Sequence, residues 1–336
     1  MQFSLKSCYK YAGRITLLSV LCLIFGALSA LAFQAGVILL PVVAALYASV
    51  LTLERAERRI ASYLIPPVLL IVELLISGLY SYNCIMSVLA GFFIFVALRR
   101  GFGKCECAFT LTALLTLYML LLSLLLAFFN IGEVSLEGAI AYYSEVFSAL
   151  RTELVNVLTE ITVPTETGTA ATIFTEETVN LIFDQTIALL LPVTIVFAFL
   201  LVGLTHKLYG AIINCNAEDG RRVYGWSFLL PPVFAYFYVA VFIANFFTEG
   251  GDSIYALTVT ALNFVLLYVF SYLGFRFAVG LLARRISTAL ARLVVIVCIL
   301  FFSAGAVQIL SLFGVVYTLM ADRLLRMGGG TGSTDK

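Results

Sequence analysis

The feature that most constrains this chain is a series of long apolar runs that no charge interrupts. Residues 109–129 contain no Asp, Glu, Lys or Arg, and comparable runs recur along the chain. A bilayer core about 30 Å thick is crossed by roughly 20 such residues in a helix that rises about 1.5 Å per residue. A soluble core of this size could not hide them. Of 336 residues, 62% are hydrophobic and 12% charged, about half the roughly 25% charged share of soluble domains. That balance excludes a water-soluble enzyme and a disordered chain. The runs are continuous and do not alternate, so they predict helices and not barrel strands. The expected fold class is all-α: a polytopic transmembrane helical bundle of nine or ten spans.

Spans are expected near 15–33, 37–53, 63–80, 84–98, 109–129, 185–205, 228–247 and 254–281, with a last apolar stretch over 286–321. That stretch fits one long helix, or a hairpin turning near Ser303-Ala304-Gly305. Basic residues set the direction. Alternate loops and the N-terminal tail carry 16 of the 20 Lys and Arg, whereas the intervening loops hold only Arg151. The N-terminus is therefore expected in the cytoplasm and the protein in the plasma membrane. The hairpin would return the tail, with Arg323 and Arg326, to the cytoplasmic side. The first stretch, with Ala30-Leu31-Ala32, has signal-peptide character but is read as an uncleaved span.

One polar interruption separates an N-terminal five-span unit (1–129) from a C-terminal unit (185–326) and a flexible tail (327–336). Residues 130–184 hold nine carboxylates and one arginine, which places them outside the cell. Leu136, Ile140, Tyr143, Phe147, Leu150, Leu154, Leu158 and Ile161 recur every three or four residues. This spacing predicts an extracytoplasmic amphipathic helix over 136–161. Pro164 ends it, residues 165–169 read as a loop, and Thr175 reads as the N-cap of the next helix.

Chemistry is sparse. A single histidine, His206, precludes multi-histidine metal motifs, and neither a phosphate-binding loop nor a nucleophile elbow is present. No cofactor, no metal, no nucleic-acid partner and no enzymatic activity are expected. Cys105, Cys107, Cys215 and His206 could supply four metal ligands, but free thiols are the simpler reading. Polar residues inside spans are the best pointers, because burying them in lipid costs energy. Glu73 sits mid-span, as a hydrogen-bonded structural group or as a proton or solute site. Asn263, Tyr268 and Arg276 are candidate partners, and Tyr236 and Tyr238 with Tyr268 and Tyr272 could line an aromatic pocket or simply pack inside. Gly26 with Ala30, and Gly274 with Ala278, form small-residue faces for close helix contact, within the protein or with a membrane protein partner.

Two proline patterns echo each other: Leu39-Leu40-Pro41-Val42 with Leu190-Leu191-Pro192-Val193, and Leu64-Ile65-Pro66-Pro67-Val68 with Leu229-Leu230-Pro231-Pro232-Val233. They read as punctuation at span starts or as a duplicated two-span unit. Leu190-Leu191-Pro192 opening a span, a basic loop, Leu230-Pro231-Pro232, and a closing Leu312-Phe313-Gly314 to Asp322-Arg323 and Arg326 resemble the YybS-like family of bacterial membrane proteins. The chain departs from that pattern in lacking an aromatic between the Asp and the Arg. The resemblance implies paired apolar stretches at the end, hence the hairpin. It also implies a remote likeness to substrate-binding subunits of energy-coupling-factor transporters, in which small residues of the first span dock a partner, as Gly26 and Ala30 could. Two functions follow as expectations. One is a solute-binding or transport component that takes a small-molecule solute. The other is a structural or assembly factor of the cell envelope.

Overall fold

The computed structural model describes residues 8–31, 33–57, 61–77, 83–132, 134–159, 162–164, 170–172, 175–215, 224–225, 228–248 and 254–328. The elements are α1 (Cys8–Leu31), α2 (Phe33–Glu57), α3 (Ala61–Ser77), α4 (Asn83–Arg100), α5 (Lys104–Ile131), α6 (Leu136–Thr159), β1 (Thr162–Pro164), β2 (Ala170–Thr172), α7 (Glu176–Ala188), α8 (Leu190–Cys215), α9 (Pro232–Thr248), α10 (Ile254–Leu282) and α11 (Thr288–Gly328). Six helices among the described residues are long and apolar enough to cross a bilayer, and shorter apolar helices accompany them. The protein is thus an all-α, multi-span membrane protein whose outer helix faces contact lipid.

The chain divides into two compact units, residues 1–185 with 197–227, and residues 186–196 with 228–336. The expected boundary at 185 differs from this division, because most of α8 groups with the N-terminal helices.

In the first unit α2 is the central helix. Leu40, Val43, Ala44, Ala45, Ala48 and Val50 are all fully buried along it. Small side chains let its neighbours come close: a Cβ on Gly91 of α4 would lie 2.6 Å from the Ala44 carbonyl. Pro41 sits inside α2, and Pro66 and Pro67 sit inside α3. They do not open these helices as expected. Pro192 and Pro232 do lie in the first turns of α8 and α9. The two copies of the proline echo therefore occupy different helical contexts.

The amphipathic periodicity over 136–161 folds as α6. Its Tyr143 hydroxyl donates to the Ser123 carbonyl of α5 at 2.5 Å, and burial raises that phenol above its ordinary pKa. Gly132, in the left-handed conformation at φ 77°, closes α5. Arg151 of α6 pairs with Asp184 of α7 and lies over the Phe183 ring. The Thr175 hydroxyl accepts the Thr178 N–H at 3.3 Å, which makes it the N-cap of α7. Residues 162–164 pair antiparallel with 170–172, a short ribbon the sequence did not announce. The expected loop at 165–169 lies outside the described residues.

In the second unit Tyr238 of α9 stacks on Phe270 of α10 at 4.8 Å and donates to the Ser311 hydroxyl of α11 at 2.8 Å. One residue thereby ties three helices together. The expected hairpin within 286–321 does not form: α11 is one helix of 41 residues, about 60 Å long at 1.5 Å per residue. Just beyond Ser303-Ala304-Gly305 the helix is held against α10, by the Ser271 contact at Val307 and by the crossing at Leu310 and Gly314. A Cβ on Gly274 would collide with the Leu310 carbonyl, and one on Gly314 with the Phe270 carbonyl. The Ser271 hydroxyl donates to the Val307 carbonyl at 2.7 Å beside this crossing.

Gly274→Val should therefore destabilise the protein by about 1–3 kcal/mol or more, the usual cost of overpacking. Gly280→Ala, where nothing lies within 4 Å, should be neutral or slightly stabilising. Thermal unfolding of both variants in detergent separates the two outcomes.

Candidate functional site

Glu73 lies on α3 and is 1% exposed. Its carboxylate meets the beginning of α4. The Cys84 N–H donates to Oε1 at 2.9 Å, and the Ile85 N–H donates to Oε2 at 3.3 Å. The first amides of a helix have no partner within it, and in lipid no water replaces one. A carboxylate there satisfies them and faces the positive end of the helix dipole. The cluster continues through α1: the Cys84 thiol donates to the Gly26 carbonyl at 3.1 Å and touches the Ser29 hydroxyl at 3.2 Å. Ser29 also donates to the Gly26 carbonyl at 2.7 Å. On the other side the Tyr118 hydroxyl donates to Asn83 Oδ1 at 3.2 Å. Ser29, Asn83 and Cys84 are fully buried. Chemically this is a buried hydrogen-bonded network around one carboxylate.

The small residues of α1 serve this packing. A Cβ on Gly26 would collide with the Leu69 side chain, and Ala30 is 2% exposed. Both face into the unit, the close helix contact within the protein that their size allows. Gly274 and Ala278 likewise pack inside, against α11.

The structure assembles a second cluster that sequence reading did not. His206 of α8 is fully buried. Its Nδ1 is 2.9 Å from the Tyr224 hydroxyl, and its Nε2 is 3.6 Å from the Cys107 thiol of α5. Asn214 holds the Tyr224 backbone from both sides: its Nδ2 donates to the carbonyl at 2.6 Å, and its Oδ1 accepts the N–H at 2.9 Å. Lys104 donates to the Gly225 carbonyl at 2.7 Å and lies over the Tyr224 ring. Gly210, one turn after His206, leaves room for that ring, since a Cβ there would lie 2.9 Å from it. Burial, reinforced by Cys107 and Tyr209, pushes the Tyr224 phenol above its ordinary value of 10, so it stays protonated. The available signal was the lone histidine four residues before a glycine. Of the four proposed metal ligands, only Cys107 and His206 meet. Cys215 is exposed, and among the described residues no three His, Cys, Asp or Glu side chains gather.

The remaining predicted residues lie in the second unit. Asn263, Tyr268 and Arg276 share α10, whereas Tyr236 is on α9. Asn263 and Arg276 stand 13 residues apart, about 20 Å along a helix, too far for contact. Asn263 Oδ1 and Arg276 Nη1 are buried without a hydrogen-bond partner. Tyr236 is 66% exposed and Tyr268 37%, whereas Tyr238 stacks on Phe270 and Tyr272 on Phe228. No protein-family model, curated protein or solved structure matches the chain.

Glu73→Leu should orphan two buried amides, at about 1–3 kcal/mol each. Glu73→Gln keeps an acceptor and should cost less than half as much. Unfolding in detergent measures both. Equal stability of Glu73→Leu and the native protein would contradict the capping role.

Proposed function

We propose that this protein is an assembly or structural component of the plasma membrane and cell envelope, acting through helix–helix and outer-segment contacts. One observation carries this reading: Glu73, the polar residue best placed mid-span for a solute site, is engaged by the amides of α4. A transport site would instead leave that carboxylate facing a cavity. The outward Tyr236 supports the same reading, as does the acidic outer segment, whose described arginine is already paired to Asp184.

A second reading, a solute-binding or transport component, has its own support in Asn263 Oδ1 and Arg276 Nη1. Unpartnered buried polar atoms are costly, and a polar solute bound at either position would satisfy the atom there. Native mass spectrometry after gentle release from the membrane decides between the readings. The assembly reading expects a co-purifying membrane protein and no small molecule. A small molecule that is retained by the native chain and lost in Arg276→Gln and Asn263→Leu overturns it.

The orientation reading follows from the charges together with α11. With the N-terminus cytoplasmic and α11 a single crossing, the tail lies outside, contrary to the expected cytoplasmic return. A periplasm-active reporter fused after Lys336 should then be active and a cytoplasm-only fluorescent reporter dark. The opposite pattern would restore an even number of crossings.

A further inference from the structure

The turn joining α10 to α11 carries a cluster of arginines that no described carboxylate pairs. Residues 283–287 form a tight connection. The Ala283 and Arg285 amides donate back to the Val279 and Leu282 carbonyls at 2.8 and 2.9 Å. The Ser287 hydroxyl accepts the Leu290 N–H at 3.3 Å and so caps α11. Arg284 and Arg285 stand in this turn, Arg292 stands one turn into α11, and all three are exposed. None is ion-paired with a described residue. Between Asp252 and Asp322 the sequence has no carboxylate, so the hairpin contains no countercharge of its own.

Hydrocarbon lies immediately beside this charge. Leu281 is 44% exposed, Leu290 47% and Leu293 59%. A surface pairing guanidinium groups with bare leucines matches a ligand with a phosphate at one end and a chain at the other. Arginine binds phosphate oxygens through a planar fork of N–H donors, and basic sites beside transmembrane helices take anionic headgroups. A free phosphate ion would use the arginines but leave the leucines unexplained.

We propose that the α10–α11 turn is a binding site for an anionic phospholipid. Its phosphate sits among Arg284, Arg285 and Arg292, and an acyl chain lies on Leu281, Leu290 and Leu293. The inference needs no choice of membrane side and does not depend on the assembly reading.

The test is native mass spectrometry of the full chain with phosphatidylglycerol or phosphatidylcholine added to the detergent. The native protein should retain phosphatidylglycerol at least tenfold better. R284Q/R285Q/R292Q should lose that preference, and R284K/R285K/R292K, which keeps the charge, should retain part of it. Equal retention of the two lipids by the native chain overturns the proposal, and so does a glutamine variant that binds as the native chain does. Displacement of phosphatidylglycerol by millimolar inorganic phosphate also overturns it, by making the site one for free anions. If the glutamine variant fails to fold, the two-lipid comparison on the native chain and the lysine variant decide.

Discussion

Helix N-termini inside or near a bilayer present amides that no water can satisfy, and this chain meets that demand with carboxylates. Glu54, at the end of α2, accepts the Ser62 N–H at the start of α3 at 2.8 Å. Glu73 on α3 accepts two amides of α4. Glu106 turns back to accept the Gly103 N–H at the start of α5 at 3.0 Å. At the buried Glu54 and Glu73 the cost of desolvating the carboxylate is offset by donors that would otherwise be orphaned, whereas Glu106 caps an exposed helix start. Two of the three come from the preceding helix, so capping also fixes the order and spacing of neighbouring helices. The rest of the first unit depends on this. Cys84, once held at the α4 start, reaches the Gly26 carbonyl, and Gly26 is small because Leu69 fills the space where a Cβ would stand.

The same constraint explains which parts of the fold were legible in the sequence. Span positions follow from apolar length, and α6 follows from a period that water on one side enforces. Thr175 could be read as a cap because a side-chain hydroxyl is a visible acceptor. The partner of Glu73 could not be read, since backbone amides leave no signature in the sequence. Faces within spans were equally silent: lipid and protein interior are both apolar, so Tyr236 and Tyr268 gave no sign of pointing outward.

Small residues could be read in more than one way. Ser303-Ala304-Gly305 looked like a turn, and Gly26 with Ala30 looked like a face for close contact within the protein or with a partner. Within a bilayer small residues chiefly permit backbones to approach. The crossing of Gly274 and Gly314 shows that use, with each glycine facing a carbonyl of the opposite helix. A turn in α11 would need something to satisfy the freed backbone groups, and small apolar residues offer nothing. The histidine cluster was hidden for a related reason. Cys107 is 99 residues from His206 in sequence, and only the placement of α5 beside α8 in one unit brings it to His206 and Tyr224.

The two units differ in how completely their polar groups are satisfied, and this difference bears on function. Among the described residues of the first unit, buried atoms without a hydrogen bond are the hydroxyls of Ser19 and Thr116 and one oxygen of Glu54, whose other oxygen is bonded. In the second they include amide oxygens of Asn245 and Asn263 and a guanidinium nitrogen of Arg276. An amide or guanidinium left without a partner costs about 1–3 kcal/mol or more, and stability in membrane helices does not require such residues. The first unit thus reads as a closed structural body, built around Glu73 and His206. The second unit carries polar groups whose partners must come from elsewhere, along with a turn whose arginines lack countercharge. The buried amide and guanidinium atoms left open to a further contact therefore lie on α9 and α10 and not at Glu73.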